Sequence, residues 1–142
     1  MKRINPHAKV HTQLLDHTCA SSVDDLFSTV KRELGTSADI LMNNASGVSH
    51  HSDVADGDVG SWWASMEALL KGPYLVSRAF IRSALEERKE SKAAECGGRG
   101  VIVHSTSIAS YWSVRQCSAY QVAKIALNRL SEFIRLGKYL CA

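Results

Sequence analysis

The sequence predicts an α/β chain whose parallel sheet is covered by helices, and three observations predict it. Short apolar, β-branched runs alternate with longer runs whose apolar residues recur every three or four positions. Gly, Asn, Asp and Ser gather where one kind of run gives way to the other. The resulting order is strand, helix, strand, helix, strand, helix, without repeats or low-complexity tracts, and that alternation builds parallel sheets.

Taken in order, Val10 to Leu15 predicts a first strand that delivers Asp16 to its tip. From Ser22 onward, Val23, Leu26, Phe27, Val30 and Leu34 form one helical stripe. Ser22 fits the cap, Asp24 and Asp25 favour the positive end of the helix dipole, and Gly35 fits the left-handed residue that closes the helix. Asp39 to Met42 is a short apolar run stopped by Asn43 and Asn44, the pattern of a buried strand.

A polar loop from Ser46 to Gly60 leads into a helical pattern over about Ser61 to Lys89. Pro73 interrupts this pattern, which predicts a kink or two abutting helices. Gly97, Gly98 and Gly100 precede Val101, Ile102 and Val103, a run typical of a central strand. A last helix is expected from near Ser118 through Leu130, Phe133 and Ile134. In such sheets ligands gather outside the carboxyl ends of the strands, so Asp16, Asn43, Asn44 and Ser105 to Ser107 are expected on one rim.

A length of 142 residues suits one domain, and 45% apolar with 22% charged residues excludes a disordered or fibrous chain. The 17 basic and 14 acidic side chains are interspersed, so no basic stripe offers itself to nucleic acid. The run Glu86 to Lys92 mixes both signs at helical spacing and reads as a solvated helix end. Cys19, Cys96, Cys117 and Cys141 form no CxxC pair, which predicts reduced thiols. Met1 to Val10 lacks an apolar segment and no run approaches 18 apolar residues, so the expectation is a cytoplasmic chain outside the membrane. His50, His51, Asp53, Asp56 and Asp58 share no spacing that would align metal ligands, and no metal is expected. His104 reads as a buried, hydrogen-bonded histidine, and Trp62 and Trp63 as anchors of their helix.

Tyr120 and Lys124 stand four apart on the last helix, which stacks their side chains about 5–6 Å apart at the β-carbons. A neighbouring ammonium favours a phenolate, and this is how a tyrosine becomes a usable general acid or base.

Around this pair the sequence resembles the short-chain dehydrogenase/reductase family. SAYQVAK (Ser118 to Lys124) is similar to the family's YxxxK signature, and VIVHSTSIAS (Val101 to Ser110) to its serine segment, with Ser107 thirteen residues ahead of Tyr120 (120 − 107). DILMNNAS (Asp39 to Ser46) resembles the NNAG segment, LLDHT (Leu14 to Thr18) the aspartate that meets adenine, and Trp62 to Phe80 the long interface helix. The resemblance implies a partial Rossmann-like, doubly wound parallel sheet over residues 1–142, three strands alternating with three helices, with the first strand-turn-helix and the C-terminal strands missing. It implies hydride transfer between NAD or NADP and a small alcohol or ketone, in an enzyme able to form homo-oligomers or to join a full-length homologue through its long helices.

By the same resemblance Ser107, Tyr120 and Lys124 would be catalytic. Tyr120 would move the proton, Lys124 would hold the nicotinamide ribose, and Ser107 would bond the reacting oxygen. Asp16, Asn44 and Lys71, with Tyr120 and Lys124, would contact the cofactor. Three positions depart from the pattern. The sequence holds no GxxxGxG turn, the backbone cradle for pyrophosphate. Leu69 takes the place of an asparagine, which breaks a water-linked proton path, and Ser46 replaces the glycine of NNAG, with Gly47 following. These departures give the alternative expectation of an inactive, truncated relative that serves as a binding or assembly module, or of a fragment that does not fold.

Overall fold

The computed structural model describes residues 5, 7–47, 51–90 and 100–137. The first helix, α1 (Ala20–Leu34), turns Val23 and Phe27 inward, as its stripe requires, and Phe27 meets Phe80 edge-on at 6.5 Å. Gly35 closes it at φ 75°, donating its N–H to the Lys31 carbonyl. The helix begins earlier than Ser22. Cys19 holds the cap position without a side-chain bond, because the Ser22 hydroxyl instead accepts the Asp16 N–H at 3.3 Å and fixes the incoming loop.

Strands β1 (Ile40–Asn43) and β2 (Val101–His104) pair in parallel, Ile40 opposite Val101 and Asn43 opposite His104. The connection between them is long and helical, as parallel neighbours require. The described sheet contains these two strands, not three. Val10 to Leu15 is not a strand, since a ladder needs a partner and none runs beside it among the described residues. Leu14 is 99% exposed, whereas Leu15 packs onto Val23, Val76 and Ala79 and carries the attachment of this segment. Val101 and Val103 stay partly exposed, so β2 is not the doubly covered central strand its composition suggests. Gly97, Gly98, Cys96, Cys141, His50 and the end of the Glu86 to Lys92 run lie outside the described residues.

The crossover is α2 (Val59–Met66), a π-helical turn (Glu67–Lys71) and α3 (Gly72–Glu90). Asp58 caps α2 by accepting the Ser61 N–H at 2.7 Å. The interruption predicted at Pro73 is realised one turn ahead of it. Pro73 has no N–H to offer the preceding turn and its ring crowds that turn's carbonyls, and a wider turn accommodates both. The Gly72 N–H therefore reaches back five residues to Glu67. The Ala68 carbonyl is left outside this ladder and takes a hydrogen bond from His17 Nε2 at 2.9 Å.

That bond dictates Gly72. A β-carbon there would lie 1.8 Å from His17 Cδ2. The packing follows from these ties: α1 lies on α3, α3 on β1, and the last helix, α4 (Ser118–Leu136), on α2, the π turn and β2. Ala119, Ala123 and Leu127 form the buried face of α4, and Leu69 and Phe80 are buried from the crossover. Glu87 pins the loop after α1 to α3, accepting from the Thr36 hydroxyl and the Ser37 N–H. Bonding from Ser37, then from Thr36, holds its carboxyl below the ordinary range.

Gly72→Ala is expected to cost about 1–3 kcal/mol by overpacking His17. In a His17→Ala background the same change should be neutral or stabilising by up to about 1 kcal/mol, because alanine suits a helix better than glycine. Urea unfolding of the four proteins checks this, and equal effects in both backgrounds would remove His17 as the reason for the glycine.

Candidate active site

The carboxyl ends of β1 and β2 are joined past the ladder by the Ser105 N–H, which donates to the Asn43 carbonyl at 2.9 Å. Beyond Ser105 the chain turns at Ser107, which caps a short 3₁₀ turn (Ile108–Ser110) with its hydroxyl accepting the Ala109 N–H at 3.1 Å. Accepting that bond leaves the hydroxyl hydrogen of Ser107 available to donate.

Helix α4 brings the other half. Lys124 is 2% exposed, and its Nζ donates to the Ser105 carbonyl at 2.6 Å and lies 5.6 Å from the centre of the Tyr120 ring. The four-residue spacing thus does bring ammonium and phenol side by side. It also sets the ammonium against the strand that leads to Ser107. Burying an ammonium is costly unless it is bonded, and the Ser105 carbonyl occupies one of its three donors. Tyr120 remains partly exposed.

Segment 109–116 is held to α4 by Gln121, whose amide donates to the Ala109 and Trp112 carbonyls and accepts the Val114 N–H. Trp62 Nε1 donates to the Ser118 hydroxyl at 3.0 Å, fixing α2 to the start of α4. Arg115 pairs with Asp53 at 2.7 Å and connects the loop after β1 to the same segment. Together these walls enclose an open cleft of about 450 Å³, with Tyr111, Trp112, Val122 and Ile125 among its lining residues. Sequence reading did not single out Gln121, Arg115 or Asp53 for these contacts. The signal present was Gln121 itself, an amide directly beside Tyr120.

The remaining expected site residues are distributed as follows. Asp16 stands exposed at the loop before α1, where one carboxylate oxygen accepts both the Thr18 N–H and the Thr18 hydroxyl. The Thr18 hydroxyl foremost, and its N–H next, hold the Asp16 carboxyl below its ordinary value. Lys71 lies within electrostatic reach of Asp16 and pairs with Glu67 at 3.0 Å on the exposed side of the π turn. Asn44 is exposed just past β1, and Asn43 turns inward to Ser77. Leu69 is 3% exposed, an apolar side chain in the core. Among the described residues no group of three or more His, Cys, Asp or Glu could hold a metal, and no helix is long and apolar enough to cross a membrane.

The family profile described as short chain dehydrogenase matches residues 1–137. Short chain dehydrogenase mpl6 of Monascus purpureus is 36% identical over 129 residues, 91% of this chain and 40% of that protein. Short chain dehydrogenase pigC of Monascus ruber is 37% identical over 120 residues, 84% of this chain and 36% of that protein. The chain therefore spans well under half the length of these relatives. Among solved structures, NAD+-bound xylitol dehydrogenase superposes with a TM-score of 0.77 at 23% identity, over 90% of this chain and 46% of that one. That likeness concerns the fold.

Thr18→Val should raise the titration midpoint of Asp16 toward its ordinary value of 3.8. A depressed carboxyl stabilises the fold above its unfolded value, and that contribution is lost as pH falls through the depressed one. Following the Asp16 carboxyl carbon by NMR between pH 2 and 6 checks the shift, and an unchanged midpoint would remove Thr18 as its cause.

Proposed function

The chain belongs to the short chain dehydrogenase family, and we propose that it carries the reactive half of an NAD(P)-dependent oxidoreductase that interconverts an alcohol and a ketone. The observation that carries this reading is the buried Lys124 ammonium, set between the Ser105 carbonyl and the Tyr120 ring. A cation so enclosed and bonded to a single described carbonyl suits a further acceptor, and a ribose hydroxyl supplies one.

When bound, the nicotinamide supplies or receives the hydride, and the protein supplies position and charge. Tyr120 gives its phenolic proton to the substrate oxygen in reduction and takes it back in oxidation. Ser107, whose hydroxyl hydrogen is unspent by its cap, donates to the same oxygen and orients it. Lys124 holds the ribose. With Leu69 apolar, proton exchange runs from the partly exposed Tyr120 and not through position 69. Asp16, Asn44 and Lys71 form the adenosine side of the same groove.

A second reading is favoured by buried Leu69 and by the exposed apolar surface of Tyr74, Phe133 and Leu136. In it the chain associates through α3 and α4 with another copy or a longer relative, without turnover of its own.

The decisive assay follows nicotinamide absorbance with a panel of alcohols and ketones. Tyr120→Phe should reduce kcat by about 10²–10⁴-fold, the range for a lost general acid or base. Lys124→Met should raise KM for the nicotinamide as well as lower kcat. Turnover by Tyr120→Phe at the unaltered rate would exclude the oxidoreductase reading, and association without turnover would favour the second.

A further inference from the structure

A chain of polar groups crosses the layers of the fold around His104. Asn43 Nδ2, at the end of β1, donates to Ser77 Oγ of α3 at 3.1 Å. Ser77 Oγ lies 3.1 Å from His104 Nε2, and His104 Nδ1 lies 3.1 Å from Ser131 Oγ of α4. Ser131 in turn donates to the Leu127 carbonyl at 3.0 Å. Ser77 is 1% exposed and His104 is half-buried, so the bonds at Ser77 are not readily exchanged for water, while Ser131 and its bond to His104 lie at the surface.

Counting hydrogens fixes the direction. A hydroxyl has one hydrogen, and Ser131 spends it on Leu127, so Ser131 Oγ is an acceptor toward His104. His104 Nδ1 therefore carries the hydrogen. Nε2 is then bare and accepts from Ser77, whose oxygen already receives the Asn43 amide. The opposite tautomer would take the Ser131 hydrogen from Leu127 and deprive the Ser77 hydrogen of its acceptor on His104. A charged imidazole would do the second of these as well.

We propose that His104 is a positioning residue, held neutral with its hydrogen on Nδ1, whose one-way hydrogen-bond chain fixes α4, and with it Tyr120 and Lys124, against β1, β2 and α3. Burial foremost pushes the His104 titration down, opposed by the Leu127 carbonyl and helped by the Lys124 cation. Lys124 on α4 is the charged group acting on the ring, and the partners from α3 and α4 are the neutral hydroxyls of Ser77 and Ser131, with Asn43 of β1 behind Ser77. A histidine held below its ordinary 6.5 adds stability above that pH, and loses it as pH falls through the depressed midpoint.

Two-bond proton–nitrogen NMR of the imidazole tests the tautomer on the unaltered protein. The expected result is an Nδ1–H imidazole at pH 7.5, with Tyr120 ring signals shifting on acidification at the same midpoint as His104. Ser131→Ala should remove the acceptor and move the hydrogen toward Nε2. His104→Asn, whose amide replaces the Nδ1 donor, should keep the Tyr120 signals in place and abolish their shift, whereas His104→Phe should displace them at every pH. An Nε2–H or charged ring in the unaltered protein, or Tyr120 signals indifferent to His104, would overturn the proposal. Its rate consequence rests on the oxidoreductase reading: His104→Phe lowers kcat about tenfold with KM for substrate unchanged, and His104→Asn restores it. An inactive unaltered protein would count against that reading alone, because the NMR arm decides this one without turnover.

Discussion

The bond from Lys124 to the Ser105 carbonyl is the constraint on which the site depends. It ties the middle of α4 to the backbone just past β2, so the two segments that carry Ser107 and Tyr120 are placed relative to one another by a buried charge. Apolar packing by Ala119, Ala123 and Leu127 presses α4 inward but does not by itself specify how far along its axis the helix sits. A directional bond from an enclosed ammonium does. The cost of burying that ammonium is offset only where an acceptor stands at the right height, which makes the helix position and the chemistry one problem.

Helix α1, β1, β2 and α4 were legible because each advertises itself locally. Periodicity places Val23 and Phe27 on one stripe, Gly35 closes its helix with the positive φ that favours glycine, and Asn43 ends its strand. The strand expected over Val10 to Leu15 failed for a non-local reason: local sequence can favour extension but cannot supply a neighbour for the ladder. The start of α1 was misread because Ser22, a good cap by type, is used one turn inside the helix to hold Asp16. Tyr120 and Lys124 were legible as a pair, since four residues of helix leave them little choice but to meet. Their attachment to Ser105 was not, because it joins positions 19 apart through a backbone carbonyl that every residue possesses. Gln121 escaped notice for the same reason, as its three partners are main-chain groups.

The two halves of the proposed site are built by different physics. On the reactive side the groups are enclosed and bonded across elements, from α4 to β2 and from α2 to α4. On the other side Asp16 and Lys71 are exposed and bonded mainly to their own turns, Asp16 to Thr18 and Lys71 to Glu67. Short-range, solvated bonds of this kind contribute little to the global fold.

The π turn before Pro73 gives the crossover a further property. An ordinary helix advances about 100° per residue, so one extra residue would rotate everything beyond it by that amount, unless a wider turn takes it up as the π turn does here. At that advance Ser65 and Val76 would fall within about 20° of one another on one continuous wheel, so the wide turn sets these two buried residues apart around the axis, α2 packing on α4 and α3 on α1. Excising one residue between Glu67 and Lys71 would therefore restore an ordinary turn and leave the α1-facing stripe of α3 close to where it now points.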